Sequence, residues 1–332
     1  MKEIVVSGIR STGNLHIGNY FGAIKNFIRM QKEYDCFFFI ANYHALTTHP
    51  TPVDFQGKVR QVLVEYLACG LDPEVSTLYI QSDLPETAEL YLLLNMNAYV
   101  GELERCTTFK EKVRTQPDNV NAGLLTYPTL MAADILIHKA TKVPVGKDQE
   151  QHLEMARQFA NRFNRLYHTD LFPEPFAFNF GTNLVKVPGL DGSGKMGKSE
   201  GEGNAIFLID SPEEIKKKVM RAVTDAGPTK ENQEKPEVIV NLFNLMRLVS
   251  MEETIKHFDD LYNTMKIRYG DMKKQLAEDM NIFIAPLREK INEISKDEAH
   301  LKRVITMGTE KARASASKTL EQARQAIGIR HF

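Results

Sequence analysis

The stretch of sequence that decides the fold is Ile4-Val5-Val6-Ser7-Gly8-Ile9-Arg10-Ser11-Thr12-Gly13-Asn14-Leu15-His16-Ile17-Gly18-Asn19. Its apolar beginning predicts a β-strand over Glu3–Val6 that runs into a glycine-containing loop. After the loop, apolar residues recur at intervals of three and four from Ile17 to Ile28, which predicts a helix with one face against a sheet. Glycines let a backbone approach a ligand closely, and the free N–H groups at the start of a helix attract phosphate. The order strand, glycine-containing loop, helix therefore indicates a nucleotide-binding α/β fold.

The rest of the first half of the chain extends this pattern. Short apolar runs alternate with helical periodicity, which is typical of a parallel sheet covered by helices. The predicted fold class is α/β: a doubly wound, Rossmann-like parallel-sheet catalytic domain with a second, all-helical domain. Strands are predicted at Glu3–Val6, Cys36–Ala41, Thr77–Gln81 and Lys142–Val145, and helices at Asp54–Cys69, Tyr127–His138 and Gln149–Asn164.

The second half of the chain is predicted to be helical. A chain of 332 residues exceeds the roughly 250–300 at which a single core stops growing, so two domains are predicted, 1–187 and 188–332. The glycine-rich start of the second, within 188–203, is predicted to be a mobile surface loop. Further predictions are capping boxes from Ser250 to Glu253 and from Ser295 to Glu298, helix ends at Gly308 and Gly328, and a kink or break at Pro286.

Composition excludes several classes of protein. Three cysteines lie far apart with no Cys-x-x-Cys pair, so neither a zinc site nor an iron–sulfur cluster is predicted, and the thiols are expected to be buried and reduced. A net charge of -1 gives no overall attraction for nucleic acid, so any RNA contact must be local. No apolar stretch reaches the ~18 residues of a membrane span. We therefore expect a cytoplasmic protein with no membrane partner.

Two short segments carry the chemistry. His16-Ile17-Gly18-Asn19 follows the first strand, where a histidine can donate to a phosphate oxygen and a glycine leaves a flat surface for adenine. Lys195-Met196-Gly197-Lys198-Ser199 places two ammonium groups on a loop, where they can follow the charge of a departing pyrophosphate. Taken singly, the first is also compatible with a tight turn and the second with a solvated loop. Their joint occurrence decides between these interpretations.

Together the two segments resemble the HIGH and KMSKS signatures of the class I aminoacyl-tRNA synthetases. Asn19 stands in place of the last histidine of the first motif, and Gly197 in place of the first serine of the second. The intervening sequence is similar to the bacterial tryptophanyl-tRNA synthetase family from about Val6 to Asp225. This similarity is carried by 101–105, 109–112, 123–128, Met131-Ala132-Ala133-Asp134-Ile135-Leu136, 143–149, 151–154 and 222–225.

The resemblance implies a set of site residues. Catalytic roles fall on His16, Asn19, Lys112, Lys195 and Lys198. ATP contacts fall on Arg10, Ser11, Thr12, Gly18, Asn19, Gly146, Lys147, Asp148, Val187, Lys195, Met196, Gly197, Lys198 and Ser199. Tryptophan contacts fall on Asp134 and Met131, and on Gln149 and His44, which are expected at the polar end of the amino acid. Arg10 and Lys147 depart from the glutamine and the acidic residue expected there, and both add positive charge.

Asp134 also makes physical sense as a specificity residue. An indole offers one hydrogen-bond donor and no acceptor, so a pocket selective for it needs a positioned acceptor. Met131 lies one helical turn earlier and would give the ring a polarisable neighbour. Without the family context, a buried aspartate that bonds backbone is an equally good interpretation.

The implied activity has two steps: activation of L-tryptophan with ATP to tryptophanyl-AMP and pyrophosphate, then transfer to the terminal 2′-hydroxyl of tRNA(Trp). The resemblance implies Mg²⁺ held mainly by the ATP phosphates, with no protein metal site, and a homodimer. The helical region after about Gly203 would bind the anticodon. Lys216-Lys217-Lys218 gives it a local basic face, although a solvated helix face explains these charges equally well. The alternatives are a tyrosyl-tRNA synthetase, a HIGH-type nucleotidyltransferase and a non-catalytic RNA-binding paralogue.

Overall fold

The computed structural model describes residues 2–146, 149–179, 186–192, 194–197 and 202–329. Within these ranges lies one sheet whose neighbouring strands are all parallel, in the order β3-β2-β1-β4-β5. The predicted α/β class is confirmed. The strands are β1 (Ile4–Arg10), β2 (Asp35–Ala41), β3 (Thr77–Ile80), β4 (Lys142–Val143) and β5 (Phe176–Ala177).

The two ends of the sheet differ from the prediction. β1 continues to Arg10 because it stays paired with β2 over its whole length, from Ile4 opposite Asp35 to Arg10 opposite Ala41. β5 was not predicted, since its two residues are exposed and show no apolar alternation. Only its pairing with β4 makes it a strand.

Helices occupy most of the remaining described residues. They are α1 (Ile17–Asn19), α2 (Lys25–Glu33), α3 (Asn42–Ala45), α4 (Pro52–Cys69), α5 (Pro85–Asn95), α6 (Val100–Leu103), α7 (Thr107–Thr115), α8 (Ala122–Leu125), α9 (Tyr127–Leu136), α10 (Glu150–Leu166), α11 (Pro212–Met220), α12 (Glu237–Val249), α13 (Glu252–Asn263), α14 (Tyr269–Ile294) and α15 (Glu298–Ile327). A π-helical turn, Tyr20–Ile24, joins α1 to α2.

The sheet has an apolar cluster on each face. Successive residues of a strand point to opposite faces, so Val5 and Phe38 enter one cluster while Val6 and Phe39 enter the other. The first cluster also contains residues of α4, α11, α12, α13 and α14, and the second contains residues of α5, α9, α10 and α15. The helical region thus shares the cores of the sheet, and the division at 187/188 stays a prediction. In the described ranges no helix combines the length and apolar character of a membrane span.

Several predicted helix signals in the second half are wrong. α13 begins after Met251 without a side-chain cap, and Asp297 instead of Ser295 caps α15 by accepting from the His300 N–H. The capping box that does form is Ser211 with Glu214, at the start of α11. Many Ser-x-x-Glu sequences fit the capping-box pattern locally, so the pattern alone does not fix where a helix begins. Tertiary packing sets these boundaries.

Two further residues in the last two helices behave differently from expectation. Pro286 lies inside α14, which continues to Ile294, so the predicted break is wrong and a kink stays a prediction. Gly308 lies inside α15 rather than at its end, because the helix crosses β3 there. Gly328 does end α15, in the left-handed conformation with φ 90°, as predicted.

The predicted surface loop, within 188–203, contains two buried residues. Leu190 and Met196 lie in the first cluster, as does Val187 just before the loop, so the predicted exposure is wrong for these residues. Backbone hydrogen bonds hold this segment, with Met196 N–H donating to Val187 O over 2.7 Å and Val223 N–H donating to Leu190 O over 3.0 Å. The apolar side chains among the glycines pack into the core, which a glycine-rich composition does not indicate.

His138 makes the stability of the fold sensitive to pH. Its Nε2 lies 3.0 Å from the Tyr79 hydroxyl and its Nδ1 lies 3.1 Å from Ser315 Oγ on α15, both within hydrogen-bond distance. Burial lowers the pKa of His138 from 6.5 to about 3, so between these values the unfolded chain binds a proton that the folded chain does not. Stability therefore falls as pH drops below 6.5.

We expect the free energy of unfolding to fall by about 1.4 kcal/mol per pH unit well below pH 6.5 through this histidine. In His138→Gln this contribution is absent. The difference in the free energy of unfolding between wild type and variant should therefore be smaller at pH 5.5 than at pH 7.5. Urea unfolding at both pH values measures it. An unchanged difference would show that His138 is not buried in its neutral form.

Candidate active site

The two signature segments meet in space. Ile17 N–H donates to Ile206 O over 3.0 Å and Leu208 N–H to Leu15 O over 2.9 Å, so the first segment pairs with the chain just beyond the second. A Cβ placed on Gly18 would lie 2.7 Å from His16 Nδ1 and 3.5 Å from Met196 Cβ. The glycine therefore leaves room for the histidine ring at the point where the segments touch.

Side chains fix the first segment from both sides. His16 N–H donates to Asn19 Oδ1 over 3.1 Å, so Asn19 closes the turn in which it stands. Leu15 N–H donates to Glu65 Oε2 over 2.8 Å, and this carboxylate is fully buried on α4. Sequence reasoning missed Glu65, since a single acidic residue in an apolar helix shows no partner in the sequence.

The loop after β1 presents buried polar atoms. Arg10 Nη2 donates to Thr47 Oγ1 over 3.4 Å, while Arg10 Nε and Ser11 Oγ are buried and have no hydrogen-bond partner among the described residues. Buried polar atoms of this kind cost free energy unless a ligand satisfies them. They fit a polar substrate at the end of β1.

Asp134 is the centre of a second cluster. His44 Nε2 donates to its Oδ2 over 2.7 Å, and Gln81 Nε2 lies 2.8 Å from Oδ1 and 3.0 Å from Oδ2. Burial raises the pKa of Asp134, and the hydrogen bonds from His44 and Gln81 oppose that rise. Both donors are aimed at a carboxylate that α9 carries into the apolar interior. Asp134 is therefore a positioned acceptor.

Tyr127 connects this cluster to its surroundings. Its ring lies 4.4 Å from that of His44 and 5.8 Å from that of His152, centroid to centroid. Burial raises the pKa of the Tyr127 phenol, the nearby Arg10 lowers it, and Asp134 raises it. The phenol therefore stays neutral between the two polar ends of the site. A cavity of about 430 Å³ opens beside it, lined by Tyr43, His44, Leu46, Thr47, Ala88, Tyr91, Asn121, Gly123, Thr126, Tyr127 and Leu130.

A third polar group lies at the start of α10. His152 Nδ1 is 2.9 Å from Gln149 Oε1, and His152 Nε2 is 3.3 Å from Cys106 Sγ. His152 and Cys106 are both buried. Of the three, the sequence indicated only Gln149.

Comparison with known proteins identifies this arrangement. The family described as tRNA synthetases class I (W and Y) matches residues 2–285. The chain belongs to this family. It is 65% identical to the tryptophan–tRNA ligase of Porphyromonas gingivalis, over 99% of this chain and 100% of that one. It is 41% identical to the tryptophan–tRNA ligase of Helicobacter pylori, over 99% of both chains.

A solved structure gives the same result. The tryptophanyl-tRNA synthetase of Campylobacter jejuni, complexed with ADP and tryptophan, superposes with a TM-score of 0.86 at 35% identity, covering 98% of this chain and 99% of that one. The present chain is thus a class I aminoacyl-tRNA ligase with a Rossmann-like catalytic sheet, which confirms the predicted enzyme class.

The other predicted site residues of this synthetase fall into two groups. Lys147, Asp148, Lys198 and Ser199 lie outside the described residues. Among the described ones, Met131 is half-buried one turn before Asp134, Lys112 is half-buried on α7, Gly146 O accepts from Gln149 N–H over 2.9 Å, Val187 is buried, Lys195 is exposed, and Thr12 N–H donates to Arg10 O over 2.9 Å. Gly197 lies beside Met196 and is half-buried.

Sequence reasoning missed Gln81, although a signal was present. The residue ends the predicted strand Thr77–Gln81, and polar side chains at the carboxyl ends of parallel strands commonly face the ligand crevice.

A larger groove of about 570 Å³ in the synthetase lies elsewhere and contains none of the predicted site residues. Apart from Met155, its lining is polar and charged: Glu102, Arg105, Gln151, Glu154, Gln158, Asn161, Arg162 and Arg165.

Proposed function

We propose that this synthetase is a tryptophan–tRNA ligase. The observation that carries the proposal is the buried Asp134 carboxylate, held by His44 and Gln81 so that it can accept from an indole N–H. Curated relatives between 40% and 65% identical over almost the whole chain are named tryptophan–tRNA ligases. These matches favour tryptophan over tyrosine, and they leave no support for a nucleotidyltransferase acting on a small cofactor precursor.

The first step would be activation of tryptophan. A carboxylate oxygen of tryptophan attacks the α-phosphorus of ATP, the bond between that phosphorus and its bridging oxygen breaks, and pyrophosphate leaves. No covalent bond to the protein forms in this step, so positioning and charge stabilisation supply the rate. Arg10, whose Nε is buried, and the buried Ser11 lie at the end of β1, in the stretch predicted to hold ATP. His16, Lys195 and Lys198 would stabilise the phosphates.

The second step would transfer the tryptophanyl group to tRNA. The terminal 2′-hydroxyl attacks the carbonyl carbon, its proton is lost, and AMP leaves. We propose tRNA(Trp) as the acceptor, and the cytoplasm as the location. Mg²⁺ would enter on the ATP phosphates. Lys112 would contact the same phosphates.

Amino-acid-dependent ATP–pyrophosphate exchange tests the proposal. Tryptophan should support exchange, whereas tyrosine at the same concentration should support little or none. The double variant Lys195→Ala, Lys198→Ala should lose most of the exchange rate, while Lys230→Ala, which removes an exposed lysine elsewhere, should keep it. Exchange with tyrosine instead would favour the alternative specificity. Full activity of the double variant would favour a different phosphate-binding mode.

We also propose that the synthetase is a homodimer. Four large apolar side chains are exposed within nine consecutive residues at the end of α5 and the start of α6: Leu92, Met96, Tyr99 and Val100. Contiguous exposed apolar surface marks protein–protein interfaces. A second copy of the chain is the partner that a synthetase of this family would present.

The double variant Met96→Glu, Tyr99→Glu is expected to sediment as a monomer under conditions where the wild type sediments as a dimer. Two carboxylates would be buried without partners in the interface, at a cost of several kcal/mol. Val53→Glu, at an isolated exposed valine of α4, is the matched control and should not change the mass. A wild-type monomer, or a dimeric double variant, would contradict the interface.

A further inference from the structure

The hydrogen-bond chemistry of the third polar group fixes the state of a histidine. Gln149 Oε1 can only accept, so the hydrogen in its 2.9 Å contact with His152 must be on Nδ1 of the ring. His152 is buried, which favours the neutral ring, and a neutral ring with its hydrogen on Nδ1 has an acceptor at Nε2. The thiol of Cys106, 3.3 Å from Nε2, is then the donor. The three residues form a chain of hydrogen bonds with one direction, from Cys106 to His152 to Gln149.

We propose that Cys106 and His152 are positioning residues that orient the side chain of Gln149 toward the polar end of the amino-acid substrate. The inference rests on the proposed function, and extends it to two residues that contact no substrate themselves. The ring donates from Nδ1 to Oε1, the thiol donates to Nε2, and the amide of Gln149 is thereby held with its oxygen toward His152. A free glutamine side chain would lose several rotamers on binding substrate, and the chain of hydrogen bonds removes that cost in advance.

Contacts around the group hold it in place. Thr107 N–H and Thr107 Oγ1 donate to Gln151 Oε1 over 2.9 and 2.7 Å, so the start of α7 is bound to α10 next to Cys106. On the other side, Tyr127 lies between the His152 ring and the His44 ring that bonds Asp134. The indole end and the polar end of the site are therefore supported by separate groups, with Tyr127 between them.

Because separate groups support the indole end and the polar end, a substitution at Cys106 should affect only some ligands. Indole carries only the N–H that Asp134 would accept, whereas tryptophan also carries the ammonium and carboxylate. Removing the hydrogen bonds that run from Cys106 to Gln149 should weaken the binding of tryptophan and leave the binding of indole and ATP unaffected. A general loss of packing would weaken tryptophan and indole alike.

Cys106→Ala removes the thiol that donates to His152 Nε2. We expect the KM for tryptophan in ATP–pyrophosphate exchange to rise about ten-fold, on the scale of one hydrogen bond, with the KM for ATP and the Kd of indole within about two-fold of wild type. Cys106→Ser restores a donor and should return the KM for tryptophan to within about three-fold. His152→Ala should raise it at least as far as Cys106→Ala. Cys36→Ala, at a buried cysteine of β2, is the matched control.

Two results would overturn the inference: an unchanged KM for tryptophan in both alanine variants, or an equal weakening of indole and tryptophan. His152→Ala answers the same question where Cys106→Ala fails to fold. Failure of the proposed function looks different, because the wild type and Cys36→Ala would then show no tryptophan-dependent exchange at all.

Discussion

Asp134→Asn is expected to lower kcat/KM for tryptophan about a hundred-fold, while the KM for ATP stays close to that of the wild type. The substitution keeps the shape of the side chain and removes its charge. A hydrogen bond to a charged group contributes roughly 1.5–3 kcal/mol, and the upper end of that range corresponds to about a hundred-fold in rate.

The arrangement around Asp134 makes the loss specific. His44 and Gln81 both donate to the carboxylate, so an asparagine must turn its NH₂ group toward one of these donors or toward the indole N–H. Either orientation leaves a buried donor unpaired. The effect should therefore fall on amino-acid binding and activation, and not on nucleotide binding.

Asp83→Asn is the matched control for this experiment. Asp83 follows Gln81 by two residues and lies near Thr309 of α15, outside the Asp134 cluster, and burial raises its pKa. We expect the ATP–pyrophosphate exchange kinetics of Asp83→Asn to stay near those of the wild type. Urea unfolding of both variants separates a loss of activity from a loss of stability. Wild-type kinetics in a folded Asp134→Asn variant would exclude Asp134 as the indole acceptor.

Gly308→Ala is expected to lower the free energy of unfolding by about 3 kcal/mol. Gly308 lies inside α15 where that helix crosses β3. A Cβ at this position would overlap the carbonyl oxygen of Leu78 and lie 2.7 Å from its carbonyl carbon. The helix would have to move away from the strand, which would disturb the neighbouring contact between Ser315 and His138.

Gly57→Ala makes the same substitution, and we expect it to change the free energy of unfolding in the opposite direction. Gly57 also lies inside a helix, α4, but a Cβ there would meet nothing within 4 Å. Alanine is the better helix former, so this variant should gain roughly 0.5–1 kcal/mol. Urea unfolding of the two variants side by side measures both signs. Equal stabilisation by both would show that α15 does not approach β3 so closely.

The order of elements along the chain could be predicted from the sequence, and so could much of the chemistry. Four of the five strands and the helices α4, α9 and α10 follow from local apolar periodicity, with boundaries within a few residues in most cases. The first signature segment was placed correctly at the start of a helix, because glycines and a strand end leave few other conformations for it. Periodicity is a local property, and the backbone obeys it locally.

Contacts between distant segments needed the tertiary structure. The sequence indicated Asp134, His44 and Gln149, but not Gln81 at the carboxylate or Cys106 and His152 behind the amide. Gln81 with Asp134 and Cys106 with His152 join different elements of the chain, whereas His152 and Gln149 both lie at the start of α10. Which residues meet depends on how helices cross the sheet, and the periodicity of a single helix carries no information about that crossing.

In the first stretch, Ile4 to Asn19, some features follow from the sequence alone and others depend on the tertiary structure. By itself the sequence determined that a strand, a glycine-containing loop and a helix start in that order, because local sterics and apolar spacing suffice for it. Only the tertiary structure decided that Gly18 meets Met196, that Glu65 holds Leu15, and that Gly308 lets the last helix lie against β3. The physical reason is close packing: a glycine or a buried carboxylate has a role only through the atoms next to it, and those atoms come from elsewhere in the chain.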